Sequence, residues 1–476
     1  MGFQLLRVAR AIGLNTLAVI VSQGMAFLAL PVLAVLYVPP DYGVYATYLA
    51  MTAVLALAFT LKIELNINKQ GNLNWRSSAV ASVVVMITMA IVVFGVIATA
   101  RALYPGLNYG WFPDEYLWIL AGALVSGLNS ATLQVLVRKS LFTMMAVSQI
   151  IQSTLLLSLQ LALPVFEAEA LMGAHVFSQS ILPVSVAYLF RHRLDLSLLS
   201  KNEIRQSLLS ALPIIKYTFP GVLINTLGGQ LPVLGVAAIG TIASVGLVGM
   251  ALKITSVPAA VLAGPIQNVI TGEFARASTT ADASSTLVKF TLILMSFSIP
   301  AAVAAVMLIE YAVTVLLPAS WSGVGAYSRW LVATAFISLI VSPVSPYFYL
   351  TGRAAVGFVF QTILFLLRVL GLCCGLATDD ALLVIAGFSV GGGVGYLIYM
   401  IGLLHVSRCN WRAFAKIASM SAAVALVIYI ISGSIASYFQ ASAPFILVAG
   451  LVFAYIIYLN SKHAQKVIAN HHLVWE

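Results

Sequence analysis

Two cations stand deep inside long apolar runs: Lys253 and Arg368. Within hydrocarbon such a charge costs at least about 2.5–3.5 kcal/mol on insertion scales, so it marks a function by default. It has three uses: holding an anion, pairing with an acid, or reaching back to water. Lys253 lies about 12 Å into its run and Arg368 about 14 Å from the end of its own, at 1.5 Å of rise per residue. Acids able to neutralise them are scarce nearby, Glu310 being the main one. Lys62 and Glu64 lie near the inner end of the second run; two residues apart on a helix they face different ways and are not expected to pair. Lys216 leads into the seventh run and Arg329 opens the tenth. Glu310, with Glu64, is a candidate to carry a coupling proton or sodium ion, and each has the alternative of neutralising a cation. His175 reads as a hydrogen-bonded structural residue. No residue set has the spacing of a metal site or a catalytic triad.

The elements that must position these residues follow from composition. Of 476 residues, 61% are hydrophobic and 8% charged, with a mean hydropathy of +1.04. An ordinary soluble domain carries about a quarter charged residues. So few charges cannot dress a soluble surface, which excludes soluble enzymes, disordered chains and disulfide-rich secreted domains. Cys373, Cys374 and Cys409 imply no disulfide framework. Fourteen apolar stretches approach the ~20 residues needed to cross a bilayer: 12–38, 43–65, 79–103, 116–137, 141–164, 170–190, 217–239, 245–272, 290–317, 327–350, 354–377, 381–404, 413–436 and 443–460. The expected fold is an all-α polytopic membrane protein of about 14 transmembrane helices. The gaps are too short for an ATPase or a catalytic loop, and neither GxxxxGK[ST] nor HExxH occurs. Gly391-Gly392-Gly393, inside a span, reads as a close helix-packing surface rather than a phosphate loop.

The net charge of +10 orients the chain rather than pointing to nucleic acid. With the N-terminus inside, only Arg101 and Arg329 fall outside, and Lys62, Lys216, Lys253 and Arg368 lie within or at the edges of spans; the other 18 of 24 Lys and Arg are cytoplasmic. Both termini are therefore expected in the cytoplasm. All seven tryptophans lie near span ends or beyond them, as in an interfacial belt. Residues 191–216, with Arg191, Arg193, Lys201 and Arg205, read as a basic amphipathic connector on the inner surface. An offset of 203 residues sets Gly43 opposite Gly246 at two hairpin turns. This suggests two pseudo-symmetric six-helix lobes, 1–190 and 217–404, followed by two C-terminal helices and a tail in 405–476. Prolines 220, 232, 258, 265, 300, 343 and 346 interrupt second-lobe spans, and Pro258 and Pro265 make the helix of Lys253 a candidate bending element.

The stretches LPVLAVLYVPPDYGVYATYLA (30–50), LKIELNI (61–67), FPGVLINTLGGQLPVLGVAAIG (219–240), VGLVGMALKITSVPAAVLAGPIQNVITGEFARA (245–277) and WSGVGAYSRWLVATAFISLIVSPVSPYFYLTGR (321–353) resemble the polysaccharide-biosynthesis and O-antigen flippases of the MOP exporter superfamily. The resemblance implies a flippase that carries an undecaprenyl-diphosphate-linked oligosaccharide across the bacterial inner membrane by alternating access. For such a substrate Lys253, Arg368, Lys62, Arg329 and Lys216, cations inside spans or at their ends, are the candidate binding residues, since Arg can grip a diphosphate bidentately. Asn225, Gln230, Gln149 and Gln152 are candidates for sugar hydroxyls, or for interhelical bonds. No cofactor or metal is implied; protons, sodium or membrane potential are the candidate drives, and the choice among them stays open. The implied partners are the lipid-linked glycan, membrane lipids, and a polysaccharide polymerase with its chain-length machinery. Two alternatives stay open. A cation-coupled multidrug antiporter needs buried acids where this chain has cations, and a membrane polymerase or ligase needs a larger outer loop.

Overall fold

The computed structural model describes residues 2–69, 74–103, 116–190, 200–276, 279–436 and 443–469. Arg191 and Arg193 of the connector and two of the seven tryptophans, Trp111 and Trp475, lie outside them. Hydrocarbon offers no water to backbone N–H and C=O groups, so each spanning segment must bond internally. Accordingly, no strand occurs among the described residues. The helices are α1 (Gly2–Leu36), α2 (Pro39–Thr60), α3 (Trp75–Leu103), α4 (Tyr116–Arg138), α5 (Phe142–Ala162), α6 (Glu167–Phe190), α7 (Lys201–Pro213), α8 (Phe219–Ile239), α9 (Ile242–Arg276), α10 (Thr280–Leu316), α11 (Val324–Val341), α12 (Tyr347–Leu350), α13 (Ala354–Leu376), α14 (Ala381–Val406), α15 (Trp411–Ala436) and α16 (Ala443–Ala469). Among the described residues, 13 helical segments are long and apolar enough to cross a membrane. The fourteenth expected stretch, 443–460, is helical within α16. The chain is a multi-pass membrane protein.

The chain divides into two compact units, Met1–Ala238 and Ile239–Glu476. In the first, α2 packs on α4, α4 on α6, α5 on α6 and α1 on α5. In the second, α9 packs on α11, α11 on α14, α13 on α14, and both α15 and α16 lie on α10. The hairpins come into register at the offset read from the sequence. Helix α1 ends at Leu36 and α2 begins at Pro39; α8 ends at Ile239 and α9 begins at Ile242, each 203 residues further on. Gly43 and Gly246 are then each the fifth residue of their helix, and both are buried.

The connector is helical from Lys201. Ser200 caps it: its hydroxyl accepts from the Glu203 N–H at 3.1 Å, and the Glu203 carboxylate accepts from the Ser200 N–H at 3.0 Å. Helix α7 does not end before the membrane span. It continues through a π-turn, Ile214–Thr218, into α8, so 201–239 is one helical run. Pro220 explains the wide turn. It brings no N–H and its ring crowds the carbonyl four residues back, that of Lys216.

In a bilayer, helices do not gain from hydrophobic burial against one another; close van der Waals contact and interhelical bonds hold them. The α13–α14 pair depends on glycine for that contact. A methyl at Gly387 would run into the Gly371 carbonyl, one at Gly371 into Gly387, one at Gly391 into the Leu367 carbonyl, and one at Gly375 into the Val384 backbone. The glycine run in α14 is thus a packing surface, as its sequence suggests. Gly393 is the exception, since its Cβ would meet only the Ile337 Cδ1, at 3.9 Å.

Gly387→Leu should force α13 and α14 apart, with an overpacking cost of about 1–3 kcal/mol or more. Gly393→Ala should be near neutral; thermal unfolding in detergent compares them. Cys409, between α14 and α15, is 1% exposed, and burial pushes its thiol up to about 11. Near pH 7.5 a thiol-reactive dye should therefore label Cys409 only as the protein unfolds.

Candidate functional site

The two deep cations both belong to the second unit. Arg368 projects from α13 against α14, where its Nη2 donates to the Tyr396 hydroxyl at 2.9 Å. Its guanidinium carbon lies 5.0 Å from the Tyr396 ring centre and 5.4 Å from that of Phe388. The glycine run makes room for it: a Cβ on Gly392 would stand 3.3 Å from the Arg368 Nε. That Nε is buried and has no hydrogen-bond partner among the described residues. Lys253 sits on α9 between the buried Ala251 and Thr255 and is itself partly buried. Helix α9 runs on through Pro258 and Pro265 to Arg276. Among the described residues no acid lies within ion-pair distance of Lys253 or Arg368.

Glu310 is taken up elsewhere. Its carboxylate accepts from the Arg329 Nη1 at 3.1 Å, with each side chain about half exposed. This pair joins α10 to α11. Gly325 lets the two helices approach there, since its Cβ would stand 3.0 Å from the Glu310 Cγ.

In the first unit the expectation for Lys62 and Glu64 fails. They pair, Nζ to Oε1, at 3.3 Å. The face argument assumed one continuous helix. Instead α2 ends at Thr60, and both Leu61 and Lys62 adopt left-handed backbone, with φ of 46° and 59°. A 3₁₀ segment, Ile63–Asn68, follows. This reversal swings the Lys62 amine back to Glu64. The Glu64 side chain is 1% exposed, against 26% for Lys62. Ser130 on α4 donates to the same Glu64 oxygen at 3.0 Å, while the other oxygen is buried without a partner among the described residues.

Around this pair lies a polar clamp. Asn66 donates to the Ser207 carbonyl at 3.1 Å and to the Ser210 hydroxyl at 2.8 Å. Ser77 and Ser207 share a hydrogen bond of 2.8 Å, and the Lys69 amine reaches the Ser210 carbonyl at 3.2 Å. The clamp ties α7 to α3 and to the 3₁₀ segment. Lys139 covers the Trp75 ring at 4.4 Å from its centre. Lys216 is exposed on the π-turn with its amine 5.1 Å from the Tyr217 ring centre. His175 takes its expected structural place, its Nδ1 2.8 Å from the Tyr48 hydroxyl. Gly122 leaves the space that this hydroxyl fills.

Sequence reasoning missed a cavity. Between α1, α4, α5 and α6 lies a space of about 400 Å³, lined by Asn15, Asn129, Ser148, Gln149, Gln152, Ser153, Ser178 and Gln179 with Leu133, Met145 and Leu156. Gln152 donates to the Asn129 carbonyl at 3.2 Å, and Asn129 donates to that of Gln179 at 2.7 Å. The signal was present in α5, where residues 149, 152, 153 and 156 share one helix face. Convergence of Asn15, Asn129 and Gln179 on that face comes only from packing. Asn225 and Gln230 lie on α8, away from this cavity's lining.

The Lys62–Glu64 geometry sets an order of stability. Lys62→Ala strands a buried carboxylate and should cost about 3–5 kcal/mol. Glu64→Gln keeps an acceptor for Ser130 and should cost less. In the double variant Lys62→Ala should add little to Glu64→Gln, so the coupling should approach the whole cost of Lys62→Ala, about 3–5 kcal/mol, in denaturation of the purified protein.

Residues 32–326 match the family described as "Polysaccharide biosynthesis protein". No curated protein matches the chain. Among solved structures it is similar to the lipid II flippase MurJ in an inward closed conformation, with a TM-score of 0.69 and 12% identity over 97% of this chain and 98% of that one. It is also similar to an inward-facing multidrug resistance MATE family transporter of the MOP superfamily, with a TM-score of 0.52 and 15% identity over 83% and 94%. These likenesses concern the fold. The chain belongs to the polysaccharide biosynthesis protein family and is built on the flippase and MATE transporter fold.

Proposed function

We propose that this protein flips an undecaprenyl-diphosphate-linked oligosaccharide, a repeat unit of O-antigen, capsule or exopolysaccharide, across the bacterial inner membrane by alternating access. The observation that carries this reading is the sign of the deep charge. Lys253 and Arg368 are cations in spans, and no described acid neutralises either. A diphosphate supplies the anion that such side chains lack. Arg368 keeps donor capacity beyond its bond to Tyr396. Lys253, Arg368, Lys62, Arg329 and Lys216 are the proposed substrate contacts. Lys62 and Arg329 would have to exchange their present carboxylate partners for phosphate, which fits transient rather than resting contact.

The family and the resemblance to MurJ support a lipid-linked glycan over a drug. Both termini are proposed to face the cytoplasm. Of the two coupling candidates, Glu64 fits a proton-accepting role better: it is buried with one oxygen unbonded among the described residues, whereas Glu310 is half exposed and held by Arg329. Membrane potential alone is the other proposed drive. A polymerase with its chain-length machinery is the proposed consumer of the product.

The test is translocation in proteoliposomes of a fluorescent undecaprenyl-diphosphate glycan. Wild type should move it. Lys253→Ala and Arg368→Ala should each lower the rate at least ten-fold at equal protein incorporation. Full rates in both would remove the assigned site, and transport of cationic dyes but not of the glycan would establish the antiporter alternative.

A further inference from the structure

We infer that the cavity within the first unit is the subsite for the uncharged, polyhydroxylated part of the ligand. This rests on the flippase reading above and assigns one part of the ligand a place. The cavity's polar lining consists only of amides and hydroxyls; no charged side chain faces it among the described residues. Such groups both donate and accept, as sugar hydroxyls do, and they neither attract nor repel charge. A site for a phosphate or a cationic drug would show the opposite composition. At about 400 Å³ the space falls within the ~300–1,000 Å³ range of small-molecule sites and far exceeds the room needed by one water.

The lining is also partly pre-arranged. The Gln152–Asn129–Gln179 chain locks three amides from three helices, so those groups are held in fixed orientations. Gln149 and Ser153, on the same face of α5, make no hydrogen bond among the described residues. They offer open donors and acceptors beside the locked set. If the amides served only to glue helices, the bonded chain would suffice and these two positions would be free to be apolar.

The experiment uses the full-length protein in lipid nanodiscs and two probes: undecaprenyl diphosphate alone, and undecaprenyl diphosphate bearing a neutral disaccharide. Wild type should bind the sugar-bearing probe at least ten-fold more tightly. Gln149→Met, which leaves the bonded chain intact, should lose about five-fold on that probe, the worth of one typical hydrogen bond, and nothing on the sugar-free probe. Gln152→Met should lose more on the sugar-bearing probe, again without effect on the other. Equal loss on both probes, or no loss on either in both variants, would overturn the subsite and leave the flippase reading standing. Failure of wild type to bind either probe would overturn both.

Discussion

The bilayer core gives a charge nowhere to go. Water cannot reach it, so each ionisable group inside must find a partner within the protein or await one from outside. Glu64 illustrates the first outcome. It is sealed from solvent, and the chain reverses through two left-handed residues to bring it Lys62, with Ser130 completing the contact. Non-glycine residues in that conformation each carry a strain of order 1–3 kcal/mol, which the surrounding contacts must hold. Arg368 finds less. It borrows an aromatic hydroxyl and two ring faces, and its Nε remains unbonded among the described residues.

The same scarcity of water governs how helices are joined. Apolar side chains add little specificity against lipid tails, so close approach and polar bonds set the arrangement. In the second unit glycine backbones in α13 and α14 meet directly, and the place of Arg368 beside Gly392 is a by-product of that closeness. In the first unit polar groups act instead. Asn66, Ser77 and Ser207 fasten α7, and α7 continues into α8 across the π-turn beside Pro220. A π-turn is a frequent mark of functional helices, because the widened backbone leaves groups less tightly bonded than in an α-helix.

The helices were legible because composition leaves no other solution for a chain so apolar, and the hairpin register was legible in Gly43 and Gly246. The packing role of the α14 glycines was legible for the same reason. The Lys62–Glu64 pair was not: no glycine announces the reversal at Leu61, and helical periodicity presumes an unbroken helix. Nor was the partner of Arg368, since Tyr396 lies 28 residues away on the next helix and nothing local singles it out. The amide cavity was half visible. Gln149 and Gln152 stood out in an apolar run, but their companions Asn15, Asn129 and Gln179 come from three other helices and meet only once the bundle is packed.

The central claim is that the cations inside the second unit hold an anionic lipid head. Native mass spectrometry of the purified protein with undecaprenyl diphosphate and with undecaprenol, its uncharged alcohol, tests it most directly. The diphosphate should bind at least ten-fold more tightly, and the difference should collapse in the Lys253→Ala/Arg368→Ala double variant. Equal binding of the two lipids to wild type, or an undiminished preference in the double variant, would contradict it.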